Sequence, residues 1–112
     1  MSKQKPEVPY GTLDLLILKT LDTMGTMNGY AMARRIEQVC GESLQLSQGS
    51  IYPALVGLQQ EGWITTEWGL SETNRKVKLY SLTKAGRKQL QVEIERWQRA
   101  TSLVGRFLEA GS

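Results

Sequence analysis

The fold of this chain is decided by the stretch Gln48-Gly49-Ser50-Ile51-Tyr52-Pro53-Ala54-Leu55, which is followed by Leu58 and by Glu61-Gly62-Trp63-Ile64. Three of its apolar residues recur at helical spacing and predict a short helix with one buried face: Ile51, Leu55 and Leu58. Gly62 suits the left-handed position just after a helix, and Trp63 would then pack back on Leu58 in a Schellman motif. The polar residues at the start are left on the exposed side, and the helix leads directly into a strand.

The start of this helix has two readings. If Ser47 is the N-cap, Pro53 lies in the second turn and the Gly49 carbonyl loses its usual donor. If Ser50 is the N-cap, Pro53 lies in the first turn, where a proline costs nothing. In both readings the first turns are rigid.

Two helices precede this one. Thr12 can cap the first, which is apolar around nearly its whole circumference. We therefore expect it to be buried on more than one side, with Leu16 against a partner subunit. Gly25 ends this helix, and Asn28 caps a second helix over residues 29–39. Cys40, at its end, is expected to be a small buried side chain.

A hairpin and a long helix follow. Residues 63–68 and 76–82 have the composition of strands, and the polar residues 69–75 form the loop between them. Thr83 caps a last helix that reaches about residue 109. This order predicts a mainly α chain with a two-stranded β-wing, a winged helix-turn-helix. We divide it into an N-terminal arm (1–11), a winged helix-turn-helix domain (12–82) and a C-terminal dimerisation helix (83–112).

The last helix carries an apolar seam with alternating steps of four and three residues, which is a heptad pattern. Its members are Leu90, Ile94, Trp97, Thr101, Val104 and Leu108. At 1.5 Å per residue the helix is about 40 Å long and overhangs so small a domain. Packing within the chain can account for the first residue and at most the second, so we expect the seam to form a homodimer interface.

Composition narrows the class of protein. The 112 residues carry a net charge of +3, and residues 75–88 contain six cations and no acid. Such a segment suits a phosphate-facing surface, although it also suits a solvated wing. There is no histidine and one cysteine, which excludes histidine-based catalysis, histidine metal sites and internal disulfides. Glu93 and Glu95 face apart on their helix. We expect no enzyme, no metal and no cofactor.

Nothing in the sequence predicts a membrane protein. Residues 1–9 have no apolar signal-peptide core, and the apolar run at residues 13–21 is short and interrupted by Asp14 and Lys19. We expect a soluble, cytoplasmic protein in a reducing compartment.

The chain resembles the short PadR-family transcriptional regulators. The resemblance extends over residues 13–90 and is carried by Gly29-Tyr30, Gly49-Ser50-Ile51-Tyr52-Pro53-Ala54-Leu55, Leu58, Glu61-Gly62-Trp63-Ile64 and Tyr80-Ser81-Leu82-Thr83-Lys84-Ala85-Gly86. It implies a dimeric repressor that binds a palindromic double-stranded operator, with the third helix in the major groove and the wing near the adjacent backbone.

Candidate DNA-contacting residues lie on three elements. Gln48 can bond an adenine edge, Gly49 lets the backbone approach a phosphate, and Ser50 can bond phosphate or base. Tyr52 either donates to a phosphate or packs under the wing, and Tyr30 at the start of the second helix either contacts a phosphate across the groove or packs. At the wing tip, four residues suit backbone or minor-groove contact: Asn74, Arg75, Lys76 and Lys78.

Two questions stay open at this point. In some relatives, aromatic residues on the last helix line a cavity at the dimer interface for flat hydrophobic compounds. Trp97 is placed to bind such a ligand, or to be a large interface anchor. Glu72 in the wing loop departs from the family pattern, since an acid is repelled by DNA. The alternative function is a winged-helix protein–protein interaction module without DNA binding.

Overall fold

A computed structural model describes residues 12–41, 46 and 48–110. The predicted N-terminal arm and the Ser47 cap lie outside the described residues, and of Gln48 only the backbone is described. The elements are α1 (Thr12–Met24), β1 (Met27–Asn28), α2 (Gly29–Cys40), α3 (Gln48–Gln60), β2 (Ile64–Leu70), β3 (Lys76–Leu82) and α4 (Lys84–Ala110). This is the predicted winged helix-turn-helix with a long C-terminal helix.

The helices begin and end where local chemistry directs. Gly25 follows α1 with φ of 83° and donates its N–H to the Leu21 carbonyl at 3.0 Å. The Asn28 side chain accepts a hydrogen bond from the Ala31 N–H at 2.7 Å, which confirms it as the N-cap of α2. The Glu37 carboxylate on α2 accepts a hydrogen bond from the Leu46 N–H at 2.8 Å, which ties Leu46 to α2.

The helix α3 ends in the Schellman motif that the sequence predicts. Gly62 has φ of 81° and donates to the Gln59 carbonyl at 3.0 Å, while Trp63 donates to the Leu58 carbonyl at 3.1 Å. Because the helix begins at Gln48, Pro53 lies in its second turn. The first of the two readings of the helix start is therefore the one that agrees with the helix bounds.

The sheet contains one strand more than the sequence predicts. Its order is β1-β3-β2, and both pairs are antiparallel. The two-residue β1 places Met27 opposite Tyr80 and Asn28 opposite Leu79. The hairpin extends further than expected, since Leu70 still pairs with Lys76. The sheet therefore joins the start of α2 to the wing.

The core lies where α1, α2 and α3 meet the base of the hairpin. Its fully buried side chains are Ile17, Leu18, Met32, Ile51, Leu55, Leu58, Ile64 and Leu90. Burial of the α3 stripe is as predicted. Leu16 is partly buried and packs against this core, so the expected contact of α1 with a partner subunit stays a prediction.

The burial of two side chains bears on the predictions. Leu90, the first residue of the seam predicted to form the dimer interface, is only 1% exposed because the first turns of α4 pack on the domain core, so packing within the chain accounts for it. Cys40 is exposed and not buried as predicted, because the end of α2 faces solvent and its neighbours Gln38 and Val39 are exposed as well. The seam available to a partner therefore begins after Leu90.

The wing, α3 and α4 are joined at one point. The Thr83 hydroxyl donates to the Gly62 carbonyl at 2.7 Å and accepts from the Gly86 N–H at 3.0 Å, so the predicted N-cap of α4 also binds the end of α3. The Thr83 N–H donates to the Trp63 carbonyl at 3.1 Å. A Cβ on Gly86 would lie 1.9 Å from that carbonyl oxygen, so α4 can approach this closely only with glycine there. We call the four residues Gly62, Trp63, Thr83 and Gly86 the joint.

No helix within the described residues is long and apolar enough to cross a membrane.

Candidate nucleic-acid interface

The outward face of α3 is set by its buried stripe. With Ile51, Leu55 and Leu58 in the core, helical geometry directs Gly49, Pro53 and Val56 to the opposite side. All three are exposed, and Val56 is 53% exposed. Ser50 lies on one flank of this face and is exposed, while Tyr52 lies on the other.

The position of Tyr52 combines the two roles that the sequence left open. Its ring and hydroxyl would lie 3.1 Å from a Cβ at position 29, so Gly29 leaves the space that this side chain fills. Burial, and to a lesser extent the nearness of Tyr52, raises the pKa of Tyr80 on β3. Tyr52 thus packs between α2 and the sheet while part of its surface stays exposed.

Tyr30 and Arg34 form an exposed pair on α2. The Arg34 Nη1 donates to the Tyr30 hydroxyl at 3.2 Å, and the guanidinium carbon lies 5.9 Å from the ring centroid. This geometry holds the guanidinium over the ring. The pair therefore presents a hydroxyl and a positive charge at the start of α2, beside the wing.

A tight turn forms the tip of the wing. The Ser71 N–H donates to the Arg75 carbonyl at 2.8 Å, and the Asn74 N–H donates to the Ser71 carbonyl at 2.9 Å. Asn74 has φ of 64°, a left-handed conformation that asparagine tolerates better than most residues. This conformation explains an asparagine at the tip and directs Arg75 into the strand that follows.

The Trp68 ring contacts two lysines of the wing, Lys76 and Lys78. It lies opposite Lys78 in the hairpin and is 61% exposed. The Nζ atoms of Lys76 and Lys78 lie 5.1 and 5.7 Å from its ring centroid, within the range of a cation–π interaction. The ring therefore keeps two ammonium groups on the same face of the wing.

The start of α2, Tyr52 and the wing border an open groove of about 1080 Å³. Tyr30, Arg34, Tyr52 and Trp68 all line it. Its charged lining residues are Arg34, Arg35, Glu72, Arg75, Lys76 and Lys78. With five cations and one acid, the groove attracts anions, and Glu72 lies at the wing end of it.

Five of the nine predicted DNA-contacting residues line this groove: Tyr30, Tyr52, Arg75, Lys76 and Lys78. Gly49 and Ser50 are exposed on α3 but are not part of its lining. Sequence reasoning overlooked Val56 and Trp68. A helical projection from the buried stripe would have found Val56, whereas Trp68 needed the hairpin register.

The described residues contain no group of histidine, cysteine, aspartate or glutamate side chains placed to hold a metal. Three helices, a β-hairpin and a groove rich in cations define a protein of the winged helix-turn-helix class. The Transcriptional regulator PadR-like family matches residues 17–92, more than half of the chain. The chain belongs to this family, whose members are transcriptional regulators and not enzymes.

Individual relatives agree with this membership. The chain is similar to the negative transcriptional regulator PadR of Bacillus subtilis (strain 168), with 30% identity over 66 residues. That match covers 59% of this chain and 36% of the relative, so the chain spans about a third of that relative's length.

Solved structures match over more of their length. A transcriptional regulator from Clostridium thermocellum has a TM-score of 0.78 at 26% identity, with 87% of this chain and 93% of that one covered. A PadR family transcription regulator from hypervirulent Clostridium difficile R20291 has a TM-score of 0.74 at 25% identity, covering 88% and 99%.

Proposed function

We propose that this protein is a dimeric, sequence-specific DNA-binding regulator that represses transcription from a palindromic operator. The observation that carries the proposal is the groove between α2 and the wing, which is lined by five cations, one acid and Tyr52 of α3. Membership of a family of transcriptional regulators supports it.

In this proposal α3 enters the major groove with its first turns toward the base edges. Gly49 has no side chain, so the backbone approaches the DNA closely. Ser50 is exposed on the flank and bonds a phosphate or a base edge. Gln48, one residue earlier, bonds the edge of an adenine.

The groove between α2 and the wing receives the phosphate backbone that borders the major groove. Tyr30 and Arg34 bind it from α2, and Lys76 and Lys78 bind it from the wing. Asn74 and Arg75 at the tip continue along the backbone or into the minor groove. Such contacts position the protein without reading sequence, and each neutralised phosphate adds to the salt dependence of binding.

In this proposal, dimerisation through α4 supplies a second DNA-binding domain. The seam beyond the domain is exposed in the isolated chain: Trp97 is 49% exposed, and Val104 and Leu108 are more exposed still. A second row widens the apolar surface with Leu103 and Phe107, the latter 79% exposed. So much apolar surface on one helix calls for a partner. A two-fold dimer places its α3 helices about one DNA turn, ~34 Å, apart and so reads a palindrome.

Repression is the expected sense of regulation. The B. subtilis relative is a negative transcriptional regulator, and a dimer bound across a promoter excludes polymerase by its bulk. Trp97 acts in the first place as an interface anchor. Relief by a flat hydrophobic compound bound beside it is a secondary proposal. Quenching of Trp97 fluorescence in a chain with Trp63 and Trp68 changed to phenylalanine tests for such a compound.

The decisive experiment measures fluorescence anisotropy with a labelled duplex from the region upstream of the protein's own gene. We expect saturable binding that outcompetes a scrambled duplex and weakens steeply between 50 and 200 mM salt, by a factor of roughly a thousand or more. Lys78→Gln should lower the salt slope by about one for each protomer, and so by about two for the dimer. Binding indifferent to sequence and salt would favour a protein–protein interaction module instead.

A further inference from the structure

The outward face of α3 carries no hydrogen-bonding side chain between Gly49 and the exposed Gln60 at the end of the helix. Its first two positions, Gly49 and Pro53, have no side-chain donor or acceptor, and its third is Val56. Val56 is 53% exposed on the side opposite Ile51 and Leu55. A β-branched apolar residue adds little to the fold at such a position, because about half of its surface stays exposed and valine favours helix less than most residues.

We propose that Val56 reads thymine in the operator by contact with the C5-methyl group. This inference rests on the proposed DNA-binding function and assigns a specificity-determining residue to it. In the major groove thymine alone of the four bases presents a methyl group. Valine has no donor or acceptor with which to distinguish the remaining edge atoms, so apolar contact is the chemistry available to it.

The geometry of α3 brings Val56 within reach of a base. Gly49, Tyr52, Pro53 and Val56 occupy positions i, i+3, i+4 and i+7, the same spacing as the base-reading positions of a homeodomain recognition helix. Seven residues rise about 10.5 Å along the axis, which is comparable with the major-groove width of ~12 Å. Because Gly49 and Pro53 are small, the helix can sit deep enough for Val56 to meet a base edge.

The side chain is also well suited to a defined contact. A valine in a helix keeps essentially one rotamer, so its two methyl groups are held in place before DNA binds. Tyr52 is fixed on the flank against Gly29 and does not cover it. The contact therefore requires no reordering of α3.

The test begins with duplexes selected from a random pool by the full-length protein. In a selected duplex each thymine is replaced in turn by deoxyuridine, which removes only the methyl group. We expect one or two positions in each half-site at which the wild-type protein loses affinity about fourfold, the factor for burying one methyl group. Val56→Ala, which keeps only the β-carbon, should lose most of the preference for thymine over deoxyuridine at those positions.

A matched control removes the same atoms elsewhere. Val92 is also exposed on a helix, α4, so Val92→Ala should keep the full preference for thymine. Val56→Ala should fold normally, since alanine is the better helix former, and circular dichroism checks this. As a converse probe, the thymine at such a position is replaced by cytosine and, in a second duplex, by 5-methylcytosine. Relative to cytosine, 5-methylcytosine should restore part of the methyl contact for the wild-type protein only.

The outcomes separate the two proposals. If the pool yields specific sites but deoxyuridine is tolerated everywhere, or if Val56→Ala keeps the wild-type preference, the inference about Val56 is wrong and the proposed function stands. If no duplex is selected at any salt concentration, the proposed function fails and the inference falls with it.

Discussion

Replacing Gly86 with alanine should destabilise the protein far more than any ordinary glycine-to-alanine change. A Cβ there would lie 1.9 Å from the Trp63 carbonyl oxygen and 2.8 Å from Leu82 Cδ1. The nearer atom belongs to the backbone and cannot rotate away. That oxygen also accepts the hydrogen bond from the Thr83 N–H. Relief of the clash therefore means separating α4 from the end of α3.

The magnitude follows from the contacts that this separation disturbs. Overpacking costs about 1–3 kcal/mol in ordinary cores. Loss of the hydrogen bond to the Trp63 carbonyl adds about 1 kcal/mol, and weakening of the Thr83 cap adds about 1 kcal/mol. Alanine returns about 1 kcal/mol through its helix propensity. We expect Gly86→Ala to lower the free energy of unfolding by roughly 3 kcal/mol, which corresponds to a fall in Tm of more than about 10 °C.

The assay is urea denaturation followed by circular dichroism, with all variants at one protein concentration because dimerisation affects apparent stability. Gly57→Ala is the matched control. It also lies inside a helix, and nothing comes within 4 Å of an added Cβ, so it should be neutral or stabilising by up to about 1 kcal/mol. If Gly86→Ala stayed within about 0.5 kcal/mol of wild type, the close approach at the joint would be refuted.

Four other changes test separate parts of the molecule. Asn28→Ala removes the cap of α2 and should cost about 1 kcal/mol of unfolding free energy in the same assay; no change would mean that the cap is dispensable. Trp97→Asp should yield a monomer in sedimentation velocity, and a persistent full dimer would contradict the seam. Gln48→Ala should weaken operator binding by roughly 1–3 kcal/mol in anisotropy and relax preference at one base, whereas unchanged affinity would argue against α3 as the reader. Burial, and secondarily Glu93, raises the pKa of Asp14, so its carboxylate destabilises the native state increasingly as pH rises above its ordinary value. The Tm of Asp14→Asn should therefore exceed that of the wild type by more at pH 7 than at pH 4. An equal difference in Tm at the two pH values would contradict this.

Helix caps and helix-terminating glycines are the features that sequence predicts most reliably in this protein. Asn28, Gly62 and, as the N-cap of α4, Thr83 bond to backbone groups a few residues away, so these roles can be predicted without knowing the tertiary structure. The buried stripe of α3 is equally local, because one helical period determines it. These features were enough to predict the order of elements, except for β1.

Features that depend on tertiary context were harder to predict. The strand β1 has two residues, too few to show any alternation, and it exists only because β3 lies beside it. Leu90 fits the heptad of α4, and only the packing of the first turns decides that it belongs to the core. Cys40 shows the same limit, since its exposure depends on where α2 ends. The contact of Tyr52 with Gly29 joins two motif segments that the sequence shows only as separate.

The joint of Gly62, Trp63, Thr83 and Gly86 has a mechanical consequence. One residue separates the end of β3 from the start of α4, and hydrogen bonds fix that residue to the end of α3. We therefore expect the wing and α3 to move with α4 as one body. In a dimer, the angle at which two α4 helices cross would act as a lever that sets the span between the two DNA-facing surfaces. A small change in this crossing angle would therefore change the half-site spacing of the operators that the dimer can bind.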